Sequence, residues 1–200
     1  INNKKDKRIY FSEDYIYTKD TYEHDDGFVS ELPYINIKSD ETKKINNDLI
    51  NSYYKTIKLE EEYMQYDYYI KNNIVSLIVK YYSLESPDSY PNIVAYNFDI
   101  DNGMLLDGAE ILSVFNISTL NVSNVIESNI RKYYEYEVNK GYFEGDFDSY
   151  LYNTASLPYL DGCKYYLTKD GLYAYKEIIL ENEMYYDTDS GFDLFNFKIK

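Results

Sequence analysis

The chain has 200 residues, 44% of them hydrophobic and 28% charged, which is the balance of a compact globular domain and excludes a disordered tail or a fibrous protein. Against 35 Asp and Glu stand only 20 Lys and Arg, for a formal net charge of -15. That excludes a nucleic-acid binder, whose affinity rests on a positive footprint, and favours a cationic partner.

Elements follow in chain order. Lys4, Lys5, Lys7 and Arg8 form a basic cluster in an N-terminal arm, read as a juxtamembrane stretch or a solvated tail. Tyr10 to Tyr17 alternates as a strand does, whereas Asp20 to Gly27 is polar enough to be assigned to a loop. Phe28 to Ile37 is a second strand; Pro33 lacks a ladder donor and places it at a sheet edge. Ser39 and Asp40 are helix N-cap residues, and Ile45, Leu49 and Tyr53 recur every four residues in a helix to about Ile57.

From Tyr63 the period becomes two. Met64, Tyr66, Tyr68 and Ile70 share one strand face, and Tyr63, Gln65, Asp67 and Lys71 the other. Asn72-Asn73 can turn the chain into a more apolar central strand, Ile74 to Tyr82. After a break at Leu84 to Pro91, Asn92 to Ile100 alternates again, and Asp101-Asn102-Gly103 is a hairpin-type turn, completing a meander. A helical period returns near Asn121 through Val122, Val125, Ile126, Ile130, Tyr133 and Tyr134 to Val138, with Gly141 as its stop. Tyr142 to Asp161 gives no clear period. Tyr165 to Thr168, the turn Lys169-Asp170-Gly171 and Leu172 to Ile179 form a hairpin, and Asp193 to Ile199 is a last strand. The expected fold is α+β, antiparallel sheet with two helices packed on one face, organised as an arm and edge strand over residues 1–31 and one domain over 32–200.

The residues that carry chemistry are few. Cys163 is the single cysteine, which excludes an intrachain disulfide and a cysteine metal cluster, and a buried strand is its expected place. His24 is the single histidine and lies in the polar loop, where a solvated surface position is expected; no Ser/His, Cys/His or multi-His constellation can be assembled. The 8 glycines form no phosphate-binding loop. Two carboxylates suffice for a glycosidase, yet the acids here fall mostly at turns and on polar strand faces, where solvation explains them. The acidic clusters Asp99 to Gly103 and Asp187 to Asp193 place glycine one position too early for a calcium loop of the EF-hand kind; the first reads as a turn, the second as an acidic loop. No catalytic residue, metal or cofactor is expected.

Tyrosine is abundant, 28 residues with 9 Phe and 0 Trp. Two explanations stand: AT-rich codon bias, and rigid amphipathic contact area at a recognition surface. The stretch Glu177 to Asp193 sets Met184, Tyr185 and Tyr186 among Glu177, Glu181, Glu183, Asp187, Asp189 and Asp193, with no Lys or Arg. Acids around an aromatic centre suit a basic protein, and a solvated loop is the competing reading.

Several segments in order resemble a bacterial cell-envelope domain, found in the ectodomain of RsiV-type anti-sigma factors and beside the catalytic domain of PdaC-type peptidoglycan deacetylases. They are Pro33-Tyr34-Ile35-Asn36-Ile37, Ile45 to Ile50, Ile74 to Ile78, Tyr96 to Ile100 with Gly103 and Leu105, and Tyr166 to Leu172. The chain departs from that pattern at Glu85 to Tyr90, where the family has a glycine-rich turn, and at Tyr175-Lys176-Glu177 and Met184 to Tyr186, where the family has Pro-Tyr elements. The resemblance implies a noncatalytic, extracytoplasmic receptor for C-type lysozyme, a strongly basic enzyme. It would be anchored in a Gram-positive cell membrane by a segment upstream of Ile1. Lysozyme binding would then lead to cleavage by signal peptidase, intramembrane proteolysis and release of an extracytoplasmic-function sigma factor. The lysozyme-binding residues would be Glu85, Ser86, Asp88, Tyr90, Glu181, Glu183, Tyr185, Tyr186, Asp187 and Asp189. The rival reading is a peptidoglycan- or saccharide-binding accessory module of a cell-wall deacetylase or hydrolase.

Overall fold

The computed structural model describes residues 15–55, 57, 62–85, 91–151, 163–175 and 196–200. They carry four helices and eight strands, and every strand pairing is antiparallel, so the fold is α+β. The chain divides into two compact units, 1–106 and 107–200. The expected boundary between 31 and 32 falls inside a paired strand, where ladder hydrogen bonds join the residues on either side of it.

Unit 1 opens with the hairpin β1 (Ile16–Glu23) and β2 (Val29–Ile35), a two-stranded sheet of its own. β1 thus includes Asp20 to Glu23, which the polarity of the segment placed in a loop. A ribbon exposes much of its surface, so polar residues such as Thr21 and Glu23 stand outward while the backbone pairs with Glu31 and Val29. The helix α1 spans Asp40–Lys55. It starts on a reciprocal cap: Thr42 N–H donates to Ser39 Oγ and Ser39 N–H to Thr42 Oγ1, both at 3.1 Å.

The strands β3 (Glu62–Lys71), β4 (Ile74–Ser83) and β5 (Asn92–Asp99) form the expected meander with β4 central. Asn72 and Asn73 turn the chain at φ 51° and 64°, the left-handed pair that a two-residue hairpin requires and that Asn tolerates. The register sets Leu77 opposite both Tyr68 and Tyr96, which brings Met64, Val75, Leu77, Val79 and Phe98 to one face. Ile45, Leu49 and Tyr53 of α1 and Ile16, Leu32 and Ile35 of the hairpin pack into the same core. Each such apolar side chain contributes about 1.5–3 kcal/mol when fully buried.

Two polar devices fix α1. The amide of buried Asn46 donates to the Ile35 carbonyl at 2.9 Å and accepts its N–H at 2.8 Å, as a neighbouring strand would. At the N-terminus of the helix, Ser39 Oγ donates to the Gly103 carbonyl at 2.8 Å and Glu41 Oε2 accepts the Leu105 N–H at 2.6 Å.

In unit 2, α3 (Thr119–Lys140) buries the expected stripe Val122, Ile126 and Ile130. Ser118 caps its start, and Gly141, at φ 72°, ends it as the Tyr142 N–H reaches the Glu137 carbonyl at 2.9 Å. Two further helices, α2 (Gly108–Val114) and α4 (Phe147–Leu151), bring the number among the described residues to four where the periodicity predicted two. Both are shorter than the window in which a 3.6-residue period can be read. α2 begins on an Asp107–Glu110 capping box, and at α4 the Asp146 carboxylate accepts the Ser149 N–H at 2.8 Å. Tyr134 and Arg131 of α3 hold α4, with Tyr134 edge-on to the Phe147 ring and the Arg131 guanidinium 3.7 Å from its centre.

β6 (Lys164–Thr168) and β7 (Gly171–Tyr175) form the expected hairpin, and β8 (Asn196–Lys198) pairs with β7. Residues 176–195, including the start expected for the last strand, lie outside the described residues. Cys163 is half-buried just ahead of β6 rather than inside a buried strand, since the ladder starts one residue later.

Two predictions follow from the backbone and from the tyrosines. Gly171 has φ 142°, and a Cβ there would lie 1.7 Å from the Lys200 carbonyl oxygen, which accepts the Leu172 N–H. Gly171→Ala is expected to cost more than about 2 kcal/mol by strain and a lost ladder bond, read as a shift in the urea midpoint; an unchanged midpoint would contradict the close packing. Burial pushes the phenols of Tyr96 and Tyr165 up to about 12, with Tyr81 and Asp48 adding to the first and Cys163 to the second. Unfolding releases such a phenol to its usual value near 10, so the unfolded chain binds fewer protons above that pH. Stability is therefore fully present below about pH 10 and falls as the pH rises towards about 12. A late phase of the phenolate absorbance should rise together with loss of circular dichroism; a titration complete near pH 10 with no late phase would contradict it.

Candidate functional site

Of the residues expected to bind lysozyme, Glu85 lies within the described residues, exposed and two positions beyond β4. Ser86, Asp88, Tyr90, Glu181, Glu183, Tyr185, Tyr186, Asp187 and Asp189 lie outside them, as does the acidic cluster up to Asp193. The Asp99 to Gly103 cluster is a turn: Asp99 Oδ1 accepts the N–H groups of Asp101 at 2.7 Å and Asn102 at 3.3 Å. Among the described residues, no group of three or more His, Cys, Asp and Glu is placed to hold a metal ion.

The end of β4 from which Glu85 leads away carries aromatic rings in series. Tyr82 faces Tyr63 across the ladder, and their rings stack at 4.5 Å with 5° between planes. Phe28, at the start of β2, stacks on Tyr63 at 4.7 Å and 7°. Stacked aromatic pairs of this kind contribute about 0.5–1.5 kcal/mol each beyond their buried area. Tyr63 is buried, while Phe28 keeps 37% of its surface exposed.

Phe28 stands on a hairpin tip whose order comes from His24. The sequence placed His24 on the solvated surface, but it is only 3% exposed. Because β1 continues to Glu23, the alternation that turns Tyr22 inward also turns His24 inward, and the two rings meet edge to face at 4.9 Å. His24 Nε2 hydrogen bonds to Ser30 Oγ at 2.8 Å, and Ser30 Oγ accepts the Met64 N–H of β3 at 2.9 Å. The tip backbone closes on the same residue: His24 N–H donates to the Phe28 carbonyl and Gly27 N–H to the His24 carbonyl, at 2.8 and 2.9 Å. Asp26 Oδ1 accepts the Phe28 N–H at 3.2 Å.

Around this tip the charge has one sign. Asp20, Glu23, Asp25, Asp26 and Glu31 fall in a stretch, Asp20 to Ile37, that contains no Lys or Arg. Glu23, Asp25 and Asp26 are exposed and Glu31 is half-buried. Composition pointed to acids around aromatics at Glu177 to Asp193; the same pattern at Asp20 to Ile37 was legible in the sequence once β1 was allowed to run through polar residues.

Unit 2 holds one further group that periodicity could have found. Glu137 lies seven residues after Ile130, on the buried stripe of α3, and is 5% exposed. Burial raises its carboxyl above the usual range, and a hydrogen bond from Tyr133 offsets part of that rise.

Compared with family models, curated proteins and solved structures, the chain has no match.

Replacing Ser30 by Ala removes both the partner of His24 and the acceptor of the Met64 N–H in a buried place. The expected loss of stability is about 2–3 kcal/mol, since an unsatisfied buried donor costs about 1–3 kcal/mol. Denaturant melts check it, and a loss below about 0.5 kcal/mol would show that the hairpin does not depend on this link.

Proposed function

We propose that this chain is a noncatalytic, extracytoplasmic recognition domain for a basic protein, C-type lysozyme, and that it serves as the sensor of an anti-sigma factor. The observation that carries this reading is the Phe28–Tyr63–Tyr82 stack, ending in a partly exposed ring on a tip bordered by carboxylates, at the end of the sheet that Glu85 leaves. A stacked ring already held in place offers desolvated contact at little entropic cost, and surrounding acids steer a cationic partner towards it. The motif order from Pro33 to Leu172 supports the same assignment, and the formal net charge of -15 suits a basic ligand. Signal peptidase, the intramembrane protease and the sigma factor would act through segments outside this chain.

Titration calorimetry with hen lysozyme at physiological salt tests the reading. Binding with a Kd of about 1 μM or tighter is expected, equivalent to about -8 kcal/mol, and cytochrome c, a basic protein with no saccharide cleft, should bind at least tenfold more weakly. Absence of heat with lysozyme, together with retention on purified cell walls, would replace it by the peptidoglycan-binding reading.

A further inference from the structure

We infer that the β1–β2 hairpin tip, from Glu23 to Val29, is itself a docking element for a cationic protein surface. This deepens the reading above and rests on its choice of a basic protein as partner, without needing that protein to be lysozyme. Phe28 and Val29 are adjacent apolar residues exposed by 37% and 42% at the end of a ribbon. Neither belongs to the hydrophobic cluster of unit 1, and Phe28 touches the buried residues through the Tyr63 ring on which it stacks.

Their surroundings select the partner. Glu23, Asp25 and Asp26 surround the tip, and among the described residues none of them has a Lys or Arg partner. Uncompensated acids around an exposed apolar pair match a surface that offers Lys or Arg beside an apolar spot. A second copy of this chain would bring the same negative tip and a formal net charge of -15, so self-association through it is opposed by like-charge repulsion. An anionic membrane surface is opposed for the same reason.

The tip is also built to keep its shape. Three hydrogen bonds close its backbone, from His24 N–H, Gly27 N–H and Phe28 N–H. The buried His24 ring ties it through Ser30 to the Met64 N–H of β3, and Phe28 leans on Tyr63. A partner would therefore meet a preformed surface, and the ordering cost that a flexible acidic loop would impose is small.

The test uses the full chain and two kinds of probe, hen lysozyme and an Arg-rich peptide. Asp25→Asn with Asp26→Asn keeps the acceptor for the Phe28 N–H while removing two charges; Phe28→Ser with Val29→Ser removes the apolar pair. The exposed acids Glu135 and Glu144 of unit 2, changed together to Gln, are the control, and circular dichroism verifies that each variant is folded. The charge variant is expected to weaken lysozyme binding about tenfold, mainly through slower association and with a reduced salt dependence. The apolar variant should weaken it by a similar factor through faster dissociation, and the control should stay within about twofold. Equal losses in control and tip variants, or none in the tip variants, would overturn the proposal. If lysozyme does not bind the unaltered chain, hydrogen exchange with the Arg-rich peptide decides. Protection confined to residues 22–31 retains the tip and discards lysozyme as the ligand. Protection elsewhere, or none, discards the tip as well.

Discussion

Unit 1 depends on one constraint: the face of β4 that carries Val75, Leu77 and Val79 must be covered, and α1 covers it with Ile45, Leu49 and Tyr53. β4 is buried on its other face too, at Ile74, Ser76 and Ile78, which is why its sequence reads as a nearly continuous apolar run. Once α1 lies on that face, its N-terminal half is fixed by polar groups that would be costly to bury unpaired. Asn46 satisfies both backbone groups of Ile35, and Ser39 and Glu41 hold the turn at Gly103 to Leu105. Gly103 belongs to this arrangement, since its φ is 71° and a Cβ would come within 2.9 Å of Ile37 Cγ2. Helix, hairpin and meander therefore share one core, and the tip at Phe28 is tied to β3 through Ser30 and the Tyr63 ring.

Charge contributes little to that architecture. The ion pairs described, Asp40 with Lys43, Asp67 with Lys80 and Glu127 with Arg131, lie on exposed or partly exposed surface, where such pairs are worth about 0–1 kcal/mol. An excess of acids that finds few bases lowers the stability of the compact state by self-repulsion. The carboxylates of the hairpin tip illustrate the cost, because Glu23 and Asp25 form no cap, turn or pair that the fold requires, whereas Asp99, Asp107 and Asp146 each accept backbone N–H groups. The acids thus separate into those that terminate elements and those that only project a field.

How much was legible follows from the length of each pattern. The meander was readable because three strands of eight to ten residues alternate cleanly and Asn72-Asn73 has the backbone freedom that its turn demands. α3 was readable for the same reason, with a stripe repeated over 22 residues and a glycine at its end. α2 and α4, of seven and five residues, carry too few turns for a period, and only their capping acids announce them. Polarity alone ends β1 too early, because in a two-stranded ribbon outward positions are free to be polar.

The polarity of β1 also conceals the tip. A histidine in a polar loop is solvated; a histidine two residues beyond Tyr22 that continues the inward and outward alternation of β1 is not, and the difference is one of register rather than composition. With His24 inside, its link through Ser30 to Met64 converts a polar segment into a supported hairpin, and Phe28 becomes the outer ring of a stack instead of a stray exposed apolar residue. Of the residues expected to bind a ligand, Glu85 alone is described, and it leaves β4 just beyond Tyr82, the end ring of the same stack opposite Phe28. The departure from the family pattern directs attention to that end of the sheet through the loop after β4, and burial and ring geometry direct attention to the β1–β2 hairpin.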